Sequence, residues 1–287
     1  MLLNILTAQF NITTIKFLQQ FSNPFLDKLA QAITMTAEEY FIIIFIGIVY
    51  LCIDKKLGYL MAVTLLFSST INYFVKCIFK VKRPIGTPGV RSLRLQTADG
   101  YSFPSGHTQG AAVFWCSLMK RLKKMIVYIV GAVMIVLVAL SRLYLGVHRP
   151  VDVVGGFVFG IICVIVLNRI FQYDGYKKNL IVFLFIILPM IVITVYINDS
   201  KLYKELGAII GFVIGYNIEN KYIKFNPKTS VCKNLIKVII SVSGLLIVSI
   251  LFKTFLPHGH VLDLITYFCG VLWFTAGDGL IIVKLSL

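Results

Sequence analysis

The sequence predicts an all-α polytopic membrane protein, a bundle of transmembrane helices, and three observations carry that reading. Apolar residues make up 58% of the 287-residue chain and charged residues only 14%. The mean hydropathy is +0.88. Runs such as 40–53 and 180–197 contain no charge at all, as expected of segments that approach the roughly 20 residues needed to cross about 30 Å of hydrocarbon.

Taken in order, the apolar runs predict about nine spans, near 38–54, 57–79, 105–119, 125–146, 150–171, 180–197, 205–218, 235–256 and 261–283. The third and seventh are short, so they are either tilted against neighbours or over-counted. Residues 1–37 have mixed polarity around Asn23-Pro24, with Leu26, Leu29 and Ile33 at helical spacing. That pattern predicts an amphipathic segment lying on the membrane surface. Met1 to Phe10 has no basic region or clear cleavage site of the kind a signal peptide carries.

The formal charge of +16 sits in short loops between apolar spans, where it marks cytoplasmic loops and contact with anionic headgroups. No soluble domain remains to bind nucleic acid. If the spans alternate, one side receives Lys55/Lys56, Lys120/Arg121/Lys123/Lys124, Arg169/Lys177/Lys178 and Lys221/Lys224/Lys228/Lys233. Every loop there is basic, so that side is expected to be cytoplasmic. Cys52, Cys77, Cys163 and Cys269 fall within or at the ends of apolar runs, and no CxxC or Cys/His zinc spacing occurs.

Three blocks at the ends of apolar runs carry the chemistry: Lys76 to Pro84, Pro104 to His107 and Ser141 to Asp152. Lys76 and Arg83 are seven residues apart, close to two helical turns, so both are expected on one helical face with Lys80, in a helix ended by Pro84. A lysine that ends a span can equally snorkel to the interface with no further role. Arg83 adds a planar guanidinium able to grip phosphate with two hydrogen bonds.

Pro104-Ser105-Gly106-His107 reads as a loop entering a helix. Exposed N–H groups and the positive dipole end would favour an anion there. Arg142 closes one span and Pro150 opens the next, which puts His148 in a tight hairpin and Asp152 in the following first turn. Asp152 can accept from His148 Nδ1–H and leave Nε2 free.

Together these residues fit a phosphoryl transfer. His148 would attack phosphorus and form a phosphohistidine, and His107 would act as acid and then as base for water. Lys76, Arg83, Arg142, Ser105 and the Gly106 N–H would stabilise the phosphoryl oxygens, with Asp152 orienting His148. Asp152 is the one carboxylate tied to the nucleophile in sequence, and three basic residues already supply positive charge. The reading therefore expects no metal and no cofactor.

The blocks resemble the signatures of the type-2 phosphatidate phosphatase superfamily of membrane lipid phosphatases, whose members include undecaprenyl-diphosphate, phosphatidylglycerophosphate and sphingosine-phosphate phosphatases. The family pattern is Lys, six residues, Arg-Pro; Pro-Ser-Gly-His; and Ser-Arg, five residues, His, three residues, Asp. Lys76, Arg83, Pro84, Pro104 to His107, Ser141, Arg142, His148 and Asp152 match every position. The likeness covers roughly residues 20–172. It implies a metal-independent phosphatase with a helical transmembrane core and the histidine roles given above. The basic loops of the other side put the three blocks outside the cytoplasm, and a site near the bilayer surface suits a lipid phosphate or diphosphate.

On that resemblance the chain divides into an interfacial segment over 1–37, a catalytic transmembrane core over 38–172, and about four extra C-terminal spans over 173–287. The Ile- and Lys-rich, Cys-poor composition is compatible with a bacterial cytoplasmic membrane. Two other functions fit parts of the pattern: a phosphatase for a soluble ester such as a sugar phosphate, or a lipid-phosphate binding or transport protein without catalysis. Pure binding needs neither His107 nor Asp152.

Four further features are weighed. Gly156 and Gly160 form a GxxxG expected to pack helices closely near the site. His258 and His260 are read as an ordinary polar loop in preference to a metal site. Arg91 and Arg94 are read as interfacial anchors in preference to contacts for a second phosphate. With Lys80 and Lys82 they would tilt the site towards a diphosphate.

Overall fold

The computed structural model describes residues 2–173, 175–255 and 259–287. The chain is helical over 80% of its length, and no strand occurs among the described residues. Its helices are α1 (Leu2–Gln19), α2 (Pro24–Met35), α3 (Glu39–Cys52), α4 (Lys55–Phe79), α5 (Gly106–Leu122), α6 (Met125–Tyr144), α7 (Pro150–Ile170), α8 (Gly175–Val182), α9 (Leu188–Ile197), α10 (Ser200–Ile218), α11 (Val231–Phe255), α12 (His260–Leu272) and α13 (Asp278–Lys284). A π-helical turn joins α8 to α9 and another joins α12 to α13.

Among the described residues six helices are long and apolar enough to cross a membrane: Lys55–Phe79, Met125–Tyr144, Pro150–Ile170, Lys177–Ile197, Val231–Thr254 and His260–Lys284. This is fewer than the nine apolar runs. The run near 105–119 becomes α5, at 17 residues only about 26 Å long. The run near 205–218 becomes α10, whose Lys201, Lys204 and Glu205 put too much charge in a membrane window. At 14 residues, α3 spans about 21 Å and qualifies only together with α2, as a pair bent by 47°. Of the four C-terminal runs, three qualify.

The described residues form two compact units, Met1–Ile42 with Ile71–Val166, and Ile43–Thr70 with Leu167–Leu287. In the first, α6 packs against α1, α2 and α5. Helix α2 starts where Asn23 accepts from Leu26 N–H at 2.9 Å and Pro24 occupies the first turn, a start that needs no further donor there. Its Ala30 joins a cluster with Ala98, Tyr144, Leu145 and Val147. Ile33 packs against a second cluster of Ala37, Ala111, Ile135 and Val138. The helix is amphipathic: Leu26, Ala30 and Ile33 pack into the clusters that α6 shares, while Phe25, Leu29 and Met35 stay exposed.

Helix α7 meets α5 through the two small residues. A Cβ at Gly156 would lie 2.5 Å from Ser105 O, and one at Gly160 would lie 2.7 Å from Ala112 Cβ. Only glycine permits that approach. The GxxxG thus packs the helices that carry the second and third blocks.

In the second unit, α10 lies along α12. Gly207, Gly211 and Gly215 make a double GxxxG, and a Cβ at Gly211 would stand 2.6 Å from Phe268 O. Tyr59 and Tyr216 stack with centroids 3.9 Å apart. Lys55 pairs with the fully buried Glu219 at 2.6 Å, and Ser69 and Thr70 donate to Glu205 at 2.6 and 2.8 Å. Each buried charge in that pair of contacts is compensated, as an apolar surrounding demands.

Candidate active site

All three blocks lie in the first unit, and backbone hydrogen bonds tie their loops together. Helix α4 stops at Phe79, where Lys80 turns left-handed at φ 49. Arg83 therefore lies beyond the helix, not on its face as the seven-residue spacing predicts, and exposed Lys80 leaves that register too. Proline at 84 disfavours helical backbone at Arg83, and an extended segment takes over. Ser102 N–H donates to Val81 O at 2.7 Å, and Ser105 N–H donates to Asp152 O at 2.9 Å. The first bond joins the loop before α5 to the segment after α4, and the second joins it to the first turn of α7.

Ser105 is the N-cap of α5, with Thr108 N–H and hydroxyl directed at its Oγ. A Cβ on Gly106 would lie 3.9 Å from Lys76 Nζ, so the bare backbone of this helix start faces the α4 lysine. Asn72, one turn before Lys76, donates to Pro104 O at 3.3 Å and Gln109 Oε1 at 2.8 Å and fixes the loop to α4. Sequence reasoning passed over Asn72. A buried amide inside an apolar run was the available signal.

Between α6 and α7 the chain turns at Gly146, φ 66, where a side chain would also crowd Gln19 Nε2 at 3.0 Å. This turn delivers His148, 1% exposed, beside Arg83. Arg83 donates to the carbonyls of Gly100 at 3.1 Å, Val147 at 3.0 Å and Asp99 at 2.8 Å, and its Nη1 lies 2.9 Å from His148 Nε2. Guanidinium can only donate, so Nε2 is the acceptor and the ring proton resides on Nδ1.

On the far side of the ring, Nδ1 lies 3.3 Å from Ser102 Oγ and 3.5 Å from Asp152 Oδ2. Ser102 Oγ donates to Asp152 Oδ2 at 2.5 Å. Arg149 N–H donates to the same oxygen at 2.7 Å, so Asp152 also caps the start of α7 in the manner of a capping box. Ser102 is fully buried and takes the nearer place to the imidazole. The sequence reading did not single it out, because a serine in a polar loop carries no periodic or spacing signal.

His107 lies within electrostatic reach of Arg142, His148, Lys76 and Arg83. Its buried Nε2, like Arg142 Nε, has no hydrogen-bond partner among the described residues. Arg142 is fully buried, donating to Thr34 Oγ1 at 3.1 Å and Thr97 O at 3.4 Å. Burial, then the positive charge of Arg83, Arg142 and Lys76, holds the His148 imidazole well below its usual 6.5, against a backbone hydrogen bond at Ser102. Burial also lowers Arg83, opposed by Asp152 and Asp99; it remains a cation at any physiological pH. Among the described residues no group of three or more His, Cys, Asp or Glu is placed to hold a metal ion.

Arg91 and Arg94 have partners of their own. Arg91 makes a two-pronged pair with Asp27 at 2.8 and 2.6 Å, and Arg94 binds Glu38 at 2.7 Å. They staple the long loop to the segment around α2, which removes them as contacts for a second phosphate. His260 stacks on Tyr203 at 5.1 Å; His258 lies outside the described residues.

Parts of the chain are similar to known proteins. It is 45% identical over 73 residues to phosphatidylglycerophosphatase B of Bacillus subtilis (strain 168), covering 22% of this chain and 36% of that protein. It is 28% identical over 106 residues to an undecaprenyl-diphosphatase of Sulfolobus acidocaldarius, covering 37% of this chain and 51% of that one. The chain thus matches only about a third to a half of the length of these curated relatives. A solved structure, the first transmembrane PAP2 type phosphatidylglycerolphosphate phosphatase from Bacillus subtilis, aligns with a TM-score of 0.47 at 29% identity over 57% of this chain and 85% of that one. The PAP2 superfamily model matches residues 57–176, which hold every residue of the three blocks, and the model of the PAP2 superfamily phosphatase transmembrane extension matches residues 203–287. The chain thus carries a PAP2 superfamily domain over residues 57–176, followed by that superfamily's phosphatase transmembrane extension over residues 203–287.

Proposed function

We propose that this chain is an integral-membrane phosphatase that hydrolyses a lipid phosphate or diphosphate through a phosphohistidine. The observation that carries the reading is the His148 ring, its Nε2 facing the Arg83 guanidinium at 2.9 Å and its Nδ1 turned to Ser102 and Asp152. That arrangement presents a neutral nitrogen lone pair beside a fixed phosphate-binding cation.

In the first step His148 Nε2 forms a bond to phosphorus while the bond from phosphorus to the lipid oxygen breaks. Burial, then the nearby Arg142, His148, Lys76 and Arg83, lower His107's affinity for protons in the free protein. The negative charge of a bound phosphate offsets these, so His107 takes up a proton with the substrate and gives it to the departing oxygen. In the second, water adds to phosphorus, its proton passes to His107, and the bond to His148 breaks. Lys76, Arg83, Arg142, Ser105 Oγ and the Gly106 N–H at the start of α5 stabilise the three equatorial oxygens throughout. The donors on His107 Nε2 and Arg142 Nε would find acceptors there. A lipid substrate fits a site built from the ends of membrane helices, since its tail can stay in the bilayer. The basic loops at the opposite helix ends support a cytoplasmic side there, and so a site outside the cytoplasm.

The test is phosphate release by purified protein from micelle-borne polyprenyl diphosphate, glycerophospholipid phosphate and sphingoid phosphate, against soluble sugar phosphates. The reading expects release from a lipid, reduced at least about 10²-fold in His148→Ala and in His107→Ala. Release from sugar phosphates alone would overturn the substrate class, and undiminished release by His148→Ala would overturn the mechanism.

A further inference from the structure

We propose that Ser102 is a positioning residue for His148, its hydroxyl relaying the hydrogen bond from the imidazole to the Asp152 carboxylate. This rests on the reading of His148 as nucleophile and adds to it a member outside the three blocks. The geometry is directional. Arg83 occupies Nε2 as a donor at 2.9 Å, so the ring proton sits on Nδ1. Ser102 Oγ is 3.3 Å from that nitrogen and gives its own proton to Asp152 Oδ2 at 2.5 Å.

The direct distance from Nδ1 to the carboxylate is 3.5 Å, and that same oxygen is already engaged by Arg149 N–H at 2.7 Å. The serine is the shorter route. It is fully buried, and its own N–H is anchored to Val81 O at 2.7 Å, so the hydroxyl is held by the segment that leads into Arg83. When Nε2 bonds to phosphorus the ring becomes positive, and the chain from Nδ1–H through Ser102 to Asp152 carries the compensating negative charge.

The test combines a tautomer readout with kinetics. The chain has four histidines, so imidazole 15N spectra of the full chain in micelles, assigned with His148→Ala, resolve the His148 ring without any substrate. The proposal expects a proton on Nδ1 in the parent protein, its resonance shifted downfield and slow to exchange with water. In Ser102→Ala, with Arg83 still donating to Nε2, the proton stays on Nδ1 but its resonance moves upfield and its exchange quickens. It expects kcat to fall about tenfold or more with KM changed less than about threefold. Ser102→Cys, close in volume but a weak donor, covers the case in which the alanine variant does not fold, and is expected to fall between.

Ser102→Ala and Asp152→Asn are expected to be non-additive, the double variant no slower than the slower single one within about threefold. An Nδ1 proton resonance and exchange rate unchanged in both serine variants, or effects of Ser102 and Asp152 that simply multiply, would overturn the proposal. Failure of the parent protein to release phosphate would instead overturn the functional reading, leaving the tautomer result to stand alone.

Discussion

A protonated His148 has no lone pair to offer, so the surroundings of this ring decide the pH range of the site. Burial and three nearby cations lower its proton affinity, so the free protein keeps this proposed nucleophile neutral at pH 6.5 and somewhat below. The acid limb of kcat/KM set by His148 is therefore expected below pH 6.5. Arg83→Gln removes the cation in contact with Nε2, raises the ring's affinity for protons and moves that limb to higher pH, alongside a loss of rate. Stability follows the same sign. Below about pH 6.5 the unfolded chain takes up a proton that the folded ring refuses, so this group's contribution falls as pH falls. A pH profile of Arg83→Gln with its acid limb unmoved or shifted down would contradict the account. The motif residues were legible at this scale because their identities are rare in apolar runs. Ser102 and Asn72 were not, since their importance lies in which neighbours the fold brings to them.

At the scale of helices, the spacing of Lys76 and Arg83 misled because the sequence does not announce where α4 ends. The left-handed turn at Lys80 intervenes three residues before Arg83, and the proline rule acts on the residue before Pro84 rather than ending the helix there. The Gly156/Gly160 pair was read correctly, since small residues four apart in an apolar helix allow close approach whatever the partner. Its equivalent in α10, Gly207 with Gly211 and Gly215, escaped notice although the same rule applies. Gly156→Val is expected to push α7 away from Ser105, the cap of α5. Stability should drop by about 1–3 kcal/mol, with phosphate release by the folded protein reduced as well. Thermal melting and activity measured together check this; a variant with both unchanged would show that α7 does not hold the α5 cap in place.

For the molecule as a whole, composition announced a helical membrane protein because no soluble core could use so much apolar surface. The number of spans was less legible: α5, with 17 residues, and α10, with three charges near its start, fall outside the length and composition that six helices among the described residues meet, although α5 runs from the site to the 120–124 loop. Nor does the order of runs reveal that the two compact units are each discontinuous in sequence. The basic loops predict that the 120–124 loop faces the cytoplasm. In a background with the six native cysteines replaced, Lys123→Cys is expected to resist an impermeant thiol reagent in intact cells and react after permeabilisation. Ready labelling in intact cells would invert the topology.

The central claim is that the phosphoryl group rests on His148 between the two half-reactions. Rapid acid-free quenching of the protein with a 32P-labelled lipid phosphate, followed by peptide mapping, tests it directly. The account predicts a transient label on His148, stable to alkali, labile to acid and missing in His148→Ala. Full turnover with no label on the protein at any time, or label on another residue, would contradict it.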